Sequence, residues 1–106
     1  MKLYHATQAE NTDSINEYGL SPLSTDDPTR PVGSEYQTLQ GRGLIGVYGW
    51  ATLEDAKFFA REECGGDGVV FEFDANDVVD DPEFDGAKFA VTDDPIPAVL
   101  IWQQWG

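Results

Sequence analysis

The segment between residues 44 and 73 constrains the fold most tightly, because it contains a strand, a capped helix and a second strand in unbroken succession. The apolar run from Leu44 to Tyr48 predicts the first strand. Thr52 is a suitable helix N-cap, with Asp55 three residues later. Beyond this cap, apolar residues recur at helical spacing at Ala56, Phe59 and Ala60. We expect the helix to end near Cys64, before Gly65–Gly66.

Three further strands are predicted after this helix. In the first, one better-buried face is indicated by the alternation of Val69, Phe71 and Phe73 with Val70 and Glu72. The other two strands span Lys88 to Val91 and Val99 to Trp102, with a turn around Pro95 and Pro97 between them. The acidic stretch from Asp74 to Asp85 is predicted to be a loop.

The N-terminal segment predicts a strand followed by a helix. Residues 1–4 form the strand, and Thr7 is a helix N-cap with Glu10 at the spacing of a capping box. We expect the helix to continue through Tyr18 and to end at Gly19 in the left-handed conformation. Leu20 should then fold back onto it.

The segment from Ser21 to Gly43 is rich in proline and glycine and has few apolar residues. It is too long for a plain connector, so we expect an excursion that borders a site. The complete order of elements predicts an α+β fold with two main helices. With 106 residues, the chain can build one core, and we expect a single domain over residues 1–106.

The charge balance is strongly acidic: 20 acidic residues face six basic ones, for a formal net charge of −14. Such a surface repels phosphate, so nucleic-acid binding is not expected. Three explanations stay open, namely adaptation to high salt, mimicry of DNA phosphates by a viral or anti-defence protein, and an ordinary acidic surface. The spread of the acids over the whole chain favours the first.

The chain carries no pattern typical of membrane insertion or secretion. No apolar run approaches the roughly 18 residues that a membrane span needs, and the first residues do not resemble a signal peptide. The single cysteine, Cys64, cannot form an internal disulfide, which fits a reducing compartment. We therefore expect a cytoplasmic protein. Neither zinc-ligand spacing nor EF-hand spacing is present, so no metal site is expected.

Two side chains are candidates for ligand contact. His5, the only histidine, lies where the first strand is predicted to lead into a helix, and such junctions often bind ligands. The alternative is a histidine that is simply hydrogen-bonded in a turn. Tyr48 ends a predicted strand and could stack on a flat ring, or it could pack beneath the following helix.

Three segments form an ordered set of motifs. The first is Leu3-Tyr4-His5-Ala6-Thr7, followed by a helix that ends Glu17-Tyr18-Gly19-Leu20. The second is Gly46-Val47-Tyr48-Gly49-Trp50-Ala51-Thr52, followed by Glu54-Asp55-Ala56. The third is Phe89-Ala90-Val91, followed by Pro95-Ile96-Pro97 and Leu100-Ile101. Together they cover most of the chain and resemble the ADP-ribosyltransferase superfamily, in its His-Tyr-Glu branch.

The resemblance implies a split β-sheet that clamps the nicotinamide end of NAD in a cleft opening at residues 4–7. His5 would bond the nicotinamide-side ribose, the backbone of Ala6 would read the carboxamide, and Thr7 would lie among the cofactor contacts. Tyr48 would stack on the nicotinamide ring. A second stacking aromatic is implied at Phe59, or at Phe58. The excursion would border the adenosine side, with Arg42 contacting the diphosphate.

One position departs from the family. Its glutamate stabilises the oxocarbenium ion from the start of the penultimate strand, and the matching place here holds Lys88. A cation at that place would oppose the developing positive charge. Asp85 is therefore assigned the acid role, with Glu83 and Glu72 as alternatives.

Three functions stay open at this point. The first is an NAD-dependent mono-ADP-ribosyltransferase with an unknown protein acceptor. The second is a catalytically inactive protein of the same fold that binds a nucleotide or inhibits a target. The third is an acidic, phosphate-mimicking interaction protein.

Overall fold

Seven strands in one antiparallel sheet and two α-helices make up the described part of a computed structural model, which comprises residues 1–24, 43–82 and 84–104. The strands are β1 (Lys2–Gln8), β2 (Leu23–Ser24), β3 (Ile45–Trp50), β4 (Gly68–Asp74), β5 (Val78–Asp80), β6 (Ala87–Val91) and β7 (Val99–Gln103). The helices are α1 (Thr12–Tyr18), preceded by a 3-10 turn at Ala9–Asn11, and α2 (Leu53–Glu63). The predicted α+β class is confirmed.

The sheet narrows to one residue pair between β1 and β3. Its strand order is β5-β6-β3-β1-β4-β7, and β2 lies beside β3. β1 is paired with β4 along its whole length, and β3 is paired with β6 from Gly46 to Trp50. Between β1 and β3, the register of the described residues contains a single pair, Tyr4 opposite Trp50. The sheet therefore consists of two well-paired halves that meet at a narrow joint.

The predicted boundary between β1 and the first helix is wrong. β1 continues to Gln8, and Thr7 lies within it, opposite Val69 of β4. Thr7 therefore does not cap a helix, and its hydroxyl accepts a hydrogen bond from Asn11 Nδ2 at 2.8 Å. Strand pairing with β4 is favoured over a helix cap at Thr7, because each added pair satisfies backbone N–H and C=O groups that would otherwise be left to solvent.

The helix α1 ends before Gly19, as predicted, but Gly19 does not have the predicted left-handed helical conformation. Gly19 has φ 82° and ψ −176°, so its φ is positive but its ψ is not that of a left-handed helix. A side chain at Gly19 would also lie 2.7 Å from the carbonyl oxygen of Ile96. Leu20 is buried in the same cluster as Ile15 of α1, as expected from a chain that folds back.

The two faces of the sheet bury different clusters. One face packs Leu3, Val47 and Phe71 against Ile15 of α1. The other packs Ala6 and Val70 against two small residues of α2, Ala56 and Ala60. The predicted cap of α2 is confirmed, because Thr52 Oγ1 accepts a hydrogen bond from the backbone N–H of Asp55 at 3.2 Å.

The acidic stretch predicted as a loop contains a strand. β5 pairs with β6, with Val79 opposite Phe89. The turn that follows is held by Asp81, a buried carboxylate that accepts from the backbone N–H of Phe84 at 3.0 Å. Periodicity could not separate this strand from its surroundings, because it has only three residues and aspartates flank it on both sides.

The acidic side chains are spread over the described surface. Exposed acids lie on both helices, in the turn between β4 and β5 and in the connection between β6 and β7. Asp81 is the one buried charged residue in the described part of the chain. The described acids therefore do not gather on a single element of the fold.

Raising the salt concentration should stabilise the protein. Self-repulsion opposes folding at a net charge of −14, and 1 M salt shortens the screening length to about 3 Å. We expect the melting temperature to rise by roughly 4–8 °C for each kcal/mol of repulsion removed between 0.1 and 2 M KCl. Scanning fluorimetry measures this shift, which should be smaller in the double variant Glu62→Gln, Glu63→Gln. A melting temperature that does not depend on salt would exclude the explanation.

Candidate functional site

A recess lies where β1 and β3 separate beyond their single pair. It is lined by His5, Ala6, Tyr48, Gly49, Trp50, Phe59 and Ala87. Four residues that the resemblance assigned to a nicotinamide pocket are therefore brought together, although they come from β1, β3 and α2. The recess holds about 10 Å³, which is room for about one water molecule. A ring could be admitted only if side chains move.

His5 joins the two halves of the sheet through its side chain. Its Nδ1 lies 2.7 Å from the carbonyl oxygen of Tyr48. Since a carbonyl only accepts, Nδ1 must carry the proton, and in a neutral ring Nε2 is then an acceptor. On the same edge of β3, β2 pairs with Ile45 and Gly46, and β1 pairs with Trp50. The imidazole therefore bridges the stretch between these two backbone contacts.

The aromatic side chains of the recess are held by other rings. Tyr48 is buried, and its ring meets that of Phe89 edge-on, with centroids 4.9 Å apart. Trp50 and Phe59 are partly buried, and their centroids are 5.9 Å apart at a tilt of 42°. Phe58, the alternative to Phe59, points elsewhere and is 63% exposed. The structure thus selects Phe59 as the aromatic from α2 at the recess.

Lys88 does not face the recess. Ala87 lines it, and neighbouring residues of a strand point to opposite faces of the sheet. The Nζ atom of Lys88 lies 2.6 Å from Oδ1 of Asp80 on β5. The expectation that a cation would oppose positive charge at this place is therefore wrong, because the ammonium group is turned to the other face and paired.

The acids considered from sequence do not line the recess either. Asp85 is exposed in the turn before β6. Glu72 lies on β4, on the far side of β1 from β3, and its Oε1 is 3.0 Å from Nζ of Lys2. The hydrogen bond and charge of Glu72 raise the pKa of Lys2 above its ordinary value. Glu83 falls outside the described residues.

The sequence did not predict that Asp55 lies near the start of β6. Its Oδ2 would lie 2.8 Å from a Cβ atom built on Gly86, so the carboxylate rests against the residue that precedes Ala87. Asp55 also stands one helical turn before Phe59, so the two share a face of α2. That i, i+4 spacing was the available signal, but the position was explained by the helix cap alone.

A groove of about 260 Å³ adjoins the recess and shares His5 with it. Its walls include Thr7, Asn11, Ser14 and Ser21, and no Asp, Glu, Lys or Arg among the described residues lines it. A second cavity, of about 280 Å³, is lined by three aspartates at positions 74, 77 and 94 and would repel a phosphate. Arg42, predicted to contact a diphosphate, lies outside the described residues.

Membrane-spanning helices and clusters of metal-ligating side chains are both absent from the described residues. Neither helix there is long and apolar enough to cross a membrane. No group of three or more His, Cys, Asp or Glu residues in the same ranges is placed to hold a metal ion. The chain matches no family model, and no curated protein or solved structure is significantly similar to it.

Proposed function

We propose that this chain binds NAD⁺ at the separation of β1 and β3 and acts as an ADP-ribosyltransferase-like protein. The observation that supports this most is the recess, where His5, Ala6, Tyr48 and Phe59 converge from three elements. The narrow joint of the sheet at Tyr4 and Trp50 agrees with the split sheet that the motif resemblance implies.

The backbone of β1 adds to the proposal. Within the described residues, β1 is strand-paired with β3 only at Tyr4, so backbone N–H and C=O groups beyond it that point toward β3 face the cleft. Such groups can hold a carboxamide, which needs one donor and one acceptor. Ala6 belongs to this stretch and lines the recess. Recognition of nicotinamide by Ala6 therefore has a structural basis.

The recess and the adjoining groove suit two parts of a dinucleotide. The recess is lined by aromatic rings and would take the nicotinamide once Trp50 and Phe59 move apart. The groove beside it offers hydroxyl and amide side chains of the kind that bind sugars, with His5 between the two. No described residue of its lining carries a charge, so the groove would repel a diphosphate less than the cavity lined by three aspartates.

Transfer requires the bond between ribose C1′ and the nicotinamide nitrogen to break. Its electron pair leaves with the nicotinamide, and positive charge develops on the ribose. His5 and Ala6 would orient the two sides of this bond, and the aromatic rings would exclude water. An acceptor oxygen then bonds to C1′ and gives up its proton.

Binding without transfer is the second candidate function. It is favoured by one observation: among the described residues, none that line the recess carries a carboxylate. A protein of this kind would hold NAD⁺ as a sensor or inhibitor and release no nicotinamide. Measuring free nicotinamide by chromatography after incubation with NAD⁺ separates the two functions.

NAD⁺ should raise the melting temperature of the protein. A ligand at ten times its Kd stabilises a folded protein by about 1.4 kcal/mol, or roughly 5–10 °C for a domain of this size. Scanning fluorimetry in 2 M KCl measures the shift, and a change in tryptophan fluorescence should accompany it because Trp50 lines the recess. ATP, which lacks the nicotinamide, is the control. The absence of any shift at 10 mM NAD⁺ would refute the proposed function.

A further inference from the structure

Asp55 holds a carboxylate near the start of β6 that no ion pair among the described residues explains. The Thr52 cap bonds the backbone N–H of Asp55, so the cap itself does not need this side chain. No ion pair involves Asp55 among the described residues, whereas Glu54, its neighbour, is paired with Lys57 at 3.4 Å. The Asp55 carboxylate lies instead against Gly86, across from the first turn of α2.

The surrounding contacts fix this carboxylate relative to the recess. The backbone N–H of Ala51 donates to the carbonyl of Gly86 at 2.8 Å, so the segment before α2 is held against the start of β6. Ala87, the next residue, lines the recess from one side, and Phe59, one turn after Asp55, lines it from another. Asp55 is exposed and is not itself a lining residue, but it lies against the residue before Ala87 and one helical turn before Phe59, two of the residues that form the walls.

We propose that Asp55 supplies the negative charge that stabilises the ribose cation when NAD⁺ is cleaved, an inference that rests on the proposed function. The C1′–N bond breaks, its electron pair leaves on nicotinamide, and the carboxylate faces the positive charge that appears on the ribose. Water completes the reaction by bonding through oxygen to C1′, and one of its protons passes to solvent. The products are ADP-ribose, nicotinamide and a proton.

The geometry favours Asp55 over the other acids. Glu72 is paired with Lys2, and Asp80 is paired with Lys88. Asp55 and Asp85 are both exposed, and neither is in an ion pair among the described residues. Among the described acids, only Asp55 contacts the residue before Ala87 and also lies one helical turn before an aromatic residue that lines the recess. Electrostatic groups of this kind change the rate of bond cleavage and leave binding of the ground state nearly unchanged.

The test compares Asp55→Asn with Glu54→Gln, which removes the same charge one residue away, and with Asp85→Asn. For each protein, nicotinamide release is measured by chromatography, NAD⁺ affinity by calorimetry and the melting temperature by fluorimetry. We expect Asp55→Asn to slow release by about 100-fold, with the Kd changed by less than about threefold. Glu54→Gln and Asp85→Asn should release nicotinamide at nearly the wild-type rate, and Asp55→Glu should recover part of it.

Each outcome distinguishes this inference from the proposed function. If the wild-type protein binds NAD⁺ and Asp55→Asn releases nicotinamide as fast as Glu54→Gln, the role of Asp55 is refuted and NAD⁺ binding stands. Loss of release in Asp85→Asn alone would assign the charge to Asp85. Binding without any release by the wild type would also overturn the role of Asp55. Failure of the wild type to bind NAD⁺ would overturn both proposals.

Discussion

Phe71→Ala is expected to lower the free energy of unfolding by about 3–5 kcal/mol, a large share of the roughly 5–15 kcal/mol that holds a domain together. Phe71 lies in the middle of β4, is fully buried and belongs to the cluster that α1 covers. Removing its ring takes apolar area out of the core and leaves a cavity that the paired strands cannot close. The melting temperature should fall by at least about 12 °C.

The matched control is Phe58→Ala. The same atoms are removed, but the Phe58 side chain lies on α2 and is 63% exposed. We expect a change within about 0.5 kcal/mol, since alanine also favours a helix. Urea unfolding followed by circular dichroism gives both free energies. Equal losses in the two variants would show that the assigned core is wrong.

Phe71 also links the core to the site. It lies directly opposite His5 in the register of β4 and β1. A cavity at Phe71 should therefore loosen His5 as well as the core. If Phe71→Ala is still folded in 2 M KCl, we expect its NAD⁺-induced shift to be smaller than that of Phe58→Ala.

Local patterns predicted those elements that depend on local contacts. The helix α2 has a capping residue, helical spacing and glycines at its end, and each of these acts within a few residues of Thr52. β4 was recognisable because four of the five residues from Val69 to Phe73 are apolar. The prediction of one better-buried face was wrong, because α2 covers Val70 on the opposite face. The start of α1 was misplaced because Thr7 pairs with Val69 of β4, 62 residues later in the sequence, and this pairing extends β1. No local sequence pattern indicates a pairing between segments so far apart.

The site was predicted less completely, because it depends on which way side chains point. The motifs assigned His5, Ala6, Tyr48 and Phe59 to one pocket, and the structure places all four at one recess. Lys88 was assigned to the same pocket, but the register of β6 directs Ala87 there instead. A one-residue difference in a strand reverses the face, and sequence alone does not fix it.

His5→Ala is expected to abolish the NAD⁺-induced rise in melting temperature. The imidazole lies between the recess and the adjoining groove, so its removal takes away a contact at the centre of the proposed site. The bond from Nδ1 to the Tyr48 carbonyl is lost as well, at a cost of about 1 kcal/mol in stability. Scanning fluorimetry of the variant with and without NAD⁺ measures both effects.

His5→Asn separates the two roles of the histidine. An asparagine amide can place a donor near the position of Nδ1 and so preserve the bond to the Tyr48 carbonyl, but it has no atom at the position of Nε2. If His5 binds the ligand through Nε2, His5→Asn should keep most of the stability that His5→Ala loses and still show no NAD⁺ shift. If His5→Asn keeps the full shift, the ring serves only to join β1 to β3. In that case the ribose contact assigned to His5 must come from another residue of the cleft.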